Sequence, residues 1–308
     1  MKKWILKAVI QKTISYLPFR NRVNFFFQKY VTKGVRLTDD YFYDRLEHAG
    51  EHLSYYKKYN NKDFPESSLE IGTGWYPVVP TAFFLAGTDK IFSVDLSFLT
   101  SKKRIKITLD KFIESQENGK LSALIKVFPE RWSLLLKLVS EYDKLDLQTI
   151  LNRLNITYLV EDARKLSLPD CSVDLVHSNN TFEHIYPSIL NSILSDFIRV
   201  VKKENGLMSH SIDMSDHFAH FDKSITIYNF LKYSEKKWRR IDNCIQPQNR
   251  LRYYDYKNMY QALSIPVTEE TYRPGNSEEC KSVNLNFSFS EKLIEETAIS
   301  HCHFVSKI

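Results

Sequence analysis

Residues 67–97 read SSLEIGTGWYPVVPTAFFLAGTDKIFSVDLS, and this stretch decides the fold. Its first residues predict a buried strand that runs into a turn at Gly72 and Gly74, where the backbone can approach a ligand closely. The apolar stretch 78–86 predicts a packed helix, and a second short strand ends at Asp95. In doubly wound α/β sheets, ligands bind outside the carboxyl ends of the strands, and an acid about 20 residues past the glycines binds ribose hydroxyls. The segment therefore predicts a site for an adenosine-containing cofactor.

The regions around this segment extend the same pattern. From residue 67 onward strands and helices alternate, which predicts a mostly parallel, doubly wound sheet with helices on both faces. A long helical insertion at about 98–154, after the second strand, fits either a lid over the strand ends or extra packing on one edge of the sheet. The predicted strands are 68–72, 90–95, 156–161, 173–178 and 206–213, the predicted helices are 77–86 and 187–203, and strand-like pieces follow at 265–272 and 297–307.

Composition excludes several classes of protein. The chain has 308 residues, of which 43% are hydrophobic, so it can form one large domain with a substantial core. A mean hydropathy of −0.36 and the lack of an apolar run of about 20 residues argue against an integral membrane protein. Lys7 interrupts the first apolar stretch and no small-residue cleavage site follows, so we expect no signal peptide. The cysteines are scattered without a CxxC pair, which is typical of a reducing cytoplasm and not of a disulfide framework or a zinc site.

A second cluster, residues 156–185, reads ITYLVEDARKLSLPDCSVDLVHSNNTFEHI. It contains a strand ending at Asp162, a Leu-Pro link, and another buried strand followed by Asn179. Together with the EIGTG turn and the acid that ends the second strand, this order of motifs resembles the class I S-adenosylmethionine-dependent methyltransferases and is similar to their type 11 group. The resemblance covers about residues 67–213, roughly half of the chain. It implies a Rossmann-like methyltransferase fold and S-adenosyl-L-methionine as the cofactor.

The resemblance gives roles to the residues of the first segment. Gly72 and Gly74 would let the backbone pass close to the methionine part of the cofactor, and Glu70 would interact with its ammonium group. Asp95 would accept hydrogen bonds from both ribose hydroxyls, and an acid there also opposes the 2′-phosphate of an NADP-type ligand. The chain departs from the dinucleotide-binding pattern at the third glycine, which is replaced in the segment 75–77.

The second cluster supplies the other implied contacts. Asp162 would accept a hydrogen bond from the adenine amine, the backbone amide of Ala163 would bind a ring nitrogen, and Asn179 would face the methyl donor. Asp95 and Asp162 could instead be ordinary strand-end or helix-capping acids. The implied cofactor-binding residues are Glu70, Gly72, Gly74, Asp95, Asp162, Ala163 and Asn179.

Histidines provide the candidates for catalysis, because the acceptor must lose a proton and histidine titrates near neutral pH. His184 follows the fourth strand, and His217 and His220 follow the fifth. The i, i+3 spacing of the latter pair could hold a divalent metal with Asp213 or Asp216, but without a supporting third ligand it does not predict a metal site. The alternative is that these side chains cap or hydrogen-bond the loop.

Charge is concentrated at the amino-terminal end. Residues 1–38 contain nine Lys and Arg and no Asp or Glu, within a chain of net charge +6. Residues 1–20 could form a partly amphipathic helix that lies on an anionic membrane surface, or the helix could pack on the protein or in an oligomer. Binding to nucleic acid is not expected, since no reading motif accompanies this bias. We expect an N-terminal helical basic arm over 1–66 and a methyltransferase domain over 67–308.

These features predict a cytoplasmic S-adenosylmethionine-dependent methyltransferase that acts on an oxygen of a sugar or other polar small molecule. Contact of the basic arm with the inner face of the membrane is one option for its location. The basic stretch 228–260 suggests a large anionic acceptor, which Arg250 and Arg252 could bind in forked geometry unless they are surface arginines. The pattern is similar to bacterial methyltransferases of surface-polysaccharide assembly. A non-catalytic cofactor-binding scaffold, docked through the basic arm, is the alternative. The missing third glycine and the lack of a Tyr-x-x-x-Lys pair disfavour an NAD-dependent sugar enzyme.

Overall fold

A seven-stranded sheet forms the centre of the computed structural model, which describes residues 2–19 and 36–308. The strand order is β3-β2-β1-β4-β5-β7-β6, with the first five strands along the chain parallel and β7 antiparallel to both of its neighbours. The predicted mostly parallel, doubly wound sheet is confirmed. The strands are β1 (Ser67–Ile71), β2 (Lys90–Asp95), β3 (Ile156–Val160), β4 (Leu175–Asn179), β5 (Leu207–Asp213), β6 (Glu269–Arg273) and β7 (His301–Lys307).

Helices cover both faces of this sheet. The insertion after β2 is helical and contributes α4 to α7, and α2 begins after Thr38, whose hydroxyl accepts a hydrogen bond from the Tyr41 amide. The helices are α1 (Lys3–Ser15), α2 (Asp39–Asn60), α3 (Val78–Leu85), α4 (Lys102–Glu117), α5 (Lys120–Leu124), α6 (Pro129–Glu141), α7 (Leu147–Arg153), α8 (Pro187–Val200), α9 (His217–Phe221), α10 (Glu235–Ile241), α11 (Tyr253–Ala262), α12 (Ser277–Ser282), α13 (Phe287–Ser290) and α14 (Ile294–Ala298).

Two apolar clusters fix these layers. One joins α2, α3 and the insertion helices, where α4 buries Leu109 and Phe112 and α6 buries Leu135. The other joins β1, β4 and β5 to α8 and α11. Because β1 pairs with both β2 and β4, the strand order reverses between β1 and β4, and the crevice at their carboxyl ends is where ligands bind in such sheets.

The described part of the basic segment packs on the carboxyl-terminal half of the chain. Trp4 and Ala8 of α1 are buried in a third apolar cluster with Phe218, and the Trp4 amide donates to the Asp222 carboxylate at 3.0 Å. The helical basic arm predicted over 1–66 includes residues 20–35, which lie outside the described residues. Among the described helices, none combines the length and apolar character needed to cross a bilayer.

Candidate functional site

The turn after β1 lies against the segment that follows β4. Gly72 has a φ of +79°, and a Cβ there would lie 2.4 Å from Thr181 Oγ1, so packing within the protein itself requires glycine. Gly74 has a φ of +72°, but a Cβ would meet no described atom closer than 3.9 Å. Gly72 is therefore fixed by a protein neighbour, whereas Gly74 borders space that a ligand can use.

Asp95 lies at the carboxyl end of β2 and contacts both the glycine turn and β3. Its Oδ2 accepts hydrogen bonds from the Gly74 amide at 3.0 Å and from the Tyr158 hydroxyl at 2.6 Å. Burial raises the pKa of Asp95 to about 6, and these two hydrogen bonds oppose the shift. A carboxylate has about four lone-pair positions. Asp95 can therefore accept two further hydrogen bonds, the number that a ribose diol donates.

Glu70 and Asn179 meet at the point where the strand order reverses. The buried carboxylate of Glu70 accepts hydrogen bonds from the Thr73 hydroxyl at 2.8 Å and from Asn179 Nδ2 at 2.9 Å. Burial raises the pKa of Glu70 to about 7, although these hydrogen bonds act in the opposite direction. A nearby cation favours the charged form of such a carboxyl. This position therefore suits the ammonium group of a methionine-like ligand.

Sequence reasoning missed a guanidinium that α2 brings to this crevice. Arg45 Nη1 donates to the Asn179 carbonyl at 2.8 Å, while Arg45 Nε is buried without a hydrogen-bond partner among the described residues and lies 3.8 Å from Asp44 Oδ2. Burial acts to lower the pKa of Arg45, but Tyr41, Asp44 and Glu70 outweigh it and raise that pKa. An incompletely paired guanidinium is a suitable partner for a ligand carboxylate.

A buried chain of hydrogen bonds orients Asn179. Its Oδ1 lies 3.0 Å from His52 Nε2, His52 Nδ1 lies 2.7 Å from Ser209 Oγ, and Ser209 Oγ lies 2.7 Å from His303 Nε2. His303 Nδ1 lies 3.3 Å from Glu51 Oε2. Burial lowers the pKa of His52 well below its usual value, so its ring is neutral at pH 7. With one nitrogen donating and one accepting, the neutral ring holds the amide of Asn179 in a single orientation.

Asp162 and Ala163 follow β3, as expected, but their surroundings differ from those of Asp95. The Asp162 carboxylate accepts hydrogen bonds from the Arg164 amide at 3.0 Å and from Arg164 Nε at 2.9 Å, and this pairing lowers the pKa of Asp162. Ala163 is buried in the core beside α8. A contact of Asp162 with adenine stays a prediction. In that arrangement the adenine amine and Arg164 would both donate hydrogen bonds to the Asp162 carboxylate.

The three histidines predicted as bases lie close together. The ring centroids of His184 and His217 are 4.9 Å apart, and those of His217 and His220 are 5.4 Å apart. His217 Nε2 lies 3.3 Å from Asp213 Oδ2, and His220 Nε2 lies 3.2 Å from Ser215 Oγ. We call His184, His217, His220 and Asp213 the histidine cluster. The segments that follow β4 and β5 thus bring these polar side chains together in one cluster.

Asn249 holds the segment after β4 that carries His184. Its Nδ2 donates to the carbonyls of Phe182 at 2.8 Å and Ile185 at 2.7 Å, and its backbone amide donates to the Glu183 carbonyl at 2.8 Å. Burial lowers the pKa of His184 to about 4, so its ring is neutral at pH 7. The backbone of this short segment is therefore held by three hydrogen bonds from one residue.

Asp216 does not join the histidine cluster. Its Oδ1 accepts a hydrogen bond from the Phe218 amide at 2.9 Å, and its Oδ2 accepts one from Asn229 Nδ2 at 3.0 Å. Asp216 therefore caps α9. The structure does not place Asp216 as a third ligand beside His217 and His220, because its carboxylate caps α9.

The two arginines considered for an anionic acceptor are also structural. Arg252 is fully buried, and its Nε donates to the Thr297 carbonyl at 3.0 Å. Arg250 donates to the Phe230 carbonyl at 3.1 Å and to Glu235 at 2.8 Å. Both expectations, of an acceptor grip and of surface arginines, are wrong, because these guanidiniums satisfy carbonyl groups of the carboxyl-terminal loops.

Comparison with known proteins identifies one matching family. Residues 137–208 match a family model described as a methyltransferase domain. The match begins within α6 and ends in β5, so it includes β3, β4 and α8 but not the glycine turn. No curated protein matches the chain.

Solved structures with a similar arrangement belong to several organisms. The S-adenosylmethionine-dependent methyltransferase of Mesorhizobium loti is 10% identical, with 80% of this chain and 91% of that chain covered and a TM-score of 0.42. The Burkholderia thailandensis 1,6-didemethyltoxoflavin-N1-methyltransferase, bound to 1,6-didemethyltoxoflavin and S-adenosylhomocysteine, is 11% identical, with coverages of 85% and 77% and a TM-score of 0.43. Phosphoethanolamine N-methyltransferase 2 of Haemonchus contortus, in complex with S-adenosyl-L-methionine, is 14% identical, with coverages of 91% and 59% and a TM-score of 0.44. The methyltransferase-domain match supports a methyltransferase, and with it S-adenosylmethionine, the cofactor that the sequence predicts.

Proposed function

We propose that this chain is an S-adenosylmethionine-dependent methyltransferase that methylates an oxygen of a sugar or another polar small molecule. The observation that carries the proposal is the convergence of Glu70, Asp95 and Asn179 around the open side of Gly74. These residues come from three neighbouring strands, β1, β2 and β4, at the carboxyl ends where the strand order reverses.

The residues present fit the cofactor group by group. Asp95 has acceptor capacity for the ribose hydroxyls, and Glu70 is a buried carboxylate suited to an ammonium group. Arg45 carries a buried Nε without a hydrogen-bond partner in the described chain, which suits a carboxylate. Gly74 leaves room for the ligand to approach the backbone. When bound, S-adenosylmethionine supplies a methyl group on a positively charged sulfur.

The acceptor side of the proposed site is the histidine cluster. A pocket borders His184 and His217, and its other walls include the side chains of Trp238, Asp242 and Gln248. The polar groups around this pocket suit a hydroxylated acceptor, whose hydroxyls need hydrogen-bond partners. The cluster would receive the proton that the acceptor hydroxyl loses.

Isothermal titration calorimetry of the full chain with S-adenosylmethionine and S-adenosylhomocysteine tests the cofactor assignment. Asp95→Asn keeps the shape of the side chain but removes the charge, so we expect binding to weaken by about tenfold to a hundredfold. Asp89→Asn is the matched control, because Asp89 precedes β2 at the opposite end and forms an exposed ion pair with Arg131. If neither ligand binds, or if Asp95→Asn binds like the wild type, the proposal is wrong.

The acceptor class needs a separate measurement. We expect release of S-adenosylhomocysteine from S-adenosylmethionine when the enzyme meets members of a panel of saccharides and other polyols. A matched panel of primary and secondary amines is the comparison. Turnover with amines alone would contradict the oxygen acceptor while leaving the methyltransferase intact.

A further inference from the structure

Three side chains in and beside the histidine cluster form a set of metal donors. Glu183, His184 and His217 each offer one ligand atom, and these atoms all lie within 4.8 Å of one another. Two imidazoles and one carboxylate are the donor set with which zinc and other divalent transition metals are held in sites that keep open positions. The set differs from the HxxH pair noticed in the sequence, since its ligands come from the loops after two different strands.

The burial of the Glu183 carboxyl without hydrogen-bond partners favours a bound cation. The residue is 1% exposed, and neither carboxylate oxygen has a hydrogen-bond partner of normal geometry among the described residues. A buried, unpaired carboxyl is unfavourable for the fold alone. Glu183 feels the charge of the buried Arg45 guanidinium, and a bound cation would add the direct contact that its oxygens lack.

The neighbouring groups prepare the two histidines for such an ion. His184 Nδ1 donates to the Pro247 carbonyl at 2.7 Å, which leaves the lone pair on Nε2, and a carbonyl in this position is the usual way in which proteins orient a metal-binding histidine. The Asp213 carboxylate, 3.3 Å from Nε2 of His217, provides a second negative charge beside the set. Glu183 and Asp213 together balance the charge of a divalent ion.

We propose that Glu183, His184 and His217 bind one divalent transition-metal ion. The pocket that borders His184 and His217 gives the ion access to a ligand, so its remaining positions take oxygen atoms of the acceptor, a part of the inference that rests on the proposed function. An acceptor with two adjacent oxygens, such as a vicinal diol, fits this arrangement best. With His184 and His217 used as ligands, His220 is the histidine of the cluster left to receive the proton.

The metal site can be tested without knowledge of the acceptor. Full-length protein treated with a chelator and dialysed is titrated with Zn²⁺ by calorimetry, and Co²⁺ is added in parallel to record the visible absorption of the bound ion. We expect one Zn²⁺ per chain and a Zn²⁺-dependent rise in Tm. Glu183→Gln and His217→Asn should each weaken binding at least a hundredfold and abolish the rise in Tm. His220→Asn, whose ring lies beside the set but outside it, should bind Zn²⁺ within about threefold of the wild type.

The folding of the variants is checked by their Tm without metal. Glu183→Gln replaces a buried carboxyl that has no hydrogen-bond partner of normal geometry with a group of the same shape, so its metal-free Tm should lie close to that of the wild type. Absence of stoichiometric Zn²⁺ binding to the wild type, or equal binding to wild type, Glu183→Gln and His217→Asn, would overturn the proposal. Titration of the same samples with S-adenosylhomocysteine separates the two hypotheses. Zn²⁺ binding without S-adenosylhomocysteine binding sinks the proposed function alone, and the reverse result sinks the metal site alone.

Discussion

Substitution of Gly72 by Ala tests whether the glycine turn is shaped by the protein or by its ligand. The new Cβ would lie 2.4 Å from Thr181 Oγ1 and 2.6 Å from Thr181 Cγ2. The positive φ costs about 1–2 kcal/mol for a residue with a Cβ, and overpacking of this kind costs about 1–3 kcal/mol. We therefore expect Gly72→Ala to lower the free energy of unfolding by about 2–5 kcal/mol. The Cβ of Gly74→Ala meets no close neighbour, so this variant should lose only the about 1–2 kcal/mol that the positive φ costs.

Chemical denaturation of four proteins measures this difference: the wild type, Gly72→Ala, Thr181→Ala and the double variant. Removing the hydroxyl and methyl of Thr181 leaves only its Cβ near the added methyl group, at a distance of 3.1 Å. The free energy of unfolding of the double variant should therefore be about 1–3 kcal/mol higher than the sum of the two single effects predicts. Calorimetry with S-adenosylhomocysteine then shows Gly74→Ala losing affinity out of proportion to its small loss of stability. Strict additivity of Gly72→Ala and Thr181→Ala, or equal stability losses for the two glycine variants, would refute the reasoning.

Three further predictions concern the cofactor crevice and α1. The pKa of Glu70 is raised to about 7, so ionisation of this residue lowers folding stability as the pH rises from about 4 to 7, whereas a cationic ligand needs the ionised form. The Kd for S-adenosylmethionine should therefore fall about tenfold between pH 6 and pH 8. Calorimetry of Glu70→Gln should show no such dependence of the Kd on pH. Arg45→Met should weaken S-adenosylmethionine about tenfold to a hundredfold, with unchanged affinity as the contrary result. Leu6 and Val9 are 48% and 54% exposed on the basic helix α1, so the double variant Leu6→Ser, Val9→Ser should co-sediment less with anionic vesicles. Leu134→Ser, at an exposed position on α6, should co-sediment like the wild type. Equal co-sedimentation of the wild type and both variants would contradict membrane contact through α1.

Local patterns were sufficient to predict most of the sheet. A buried apolar run bounded by turn residues marks each parallel strand, which is why the predicted strand 90–95 coincides with β2 and the predicted strand 206–213 includes β5. The sequence also predicted a turn at Gly72 and Gly74, and the structure shows that both residues have a positive φ, which glycine adopts without strain. At Gly72 the structure adds a reason that the sequence did not show, because Thr181 lies where a Cβ would be, while the approach of the cofactor to this backbone stays a prediction.

The partners of the predicted residues could not be found in this way, because they are distant in sequence. Arg45 and His52 reach Asn179 from α2 across 134 and 127 residues, and Tyr158 reaches Asp95 from β3 across 63 residues. None of these side chains has a local signature, since their positions depend on how helices dock on the sheet. The burial of Arg252 has the same origin, because the Thr297 carbonyl that accepts its hydrogen bonds belongs to α14, 45 residues further along the chain.

One short segment connects the two halves of the candidate site. Asn179 is held by His52 on the cofactor side, while Asn249 holds the carbonyl of Glu183 four residues later. Four residues span at most about 14 Å even when extended, so the crevice and the metal donors cannot move far apart. Transfer between two bound molecules requires such fixed proximity. Thr181 lies in the middle of the segment, against Gly72. A Cβ at Gly72 that displaces Thr181 should therefore weaken the binding of both S-adenosylhomocysteine and Zn²⁺, whereas Gly74→Ala should affect the first alone.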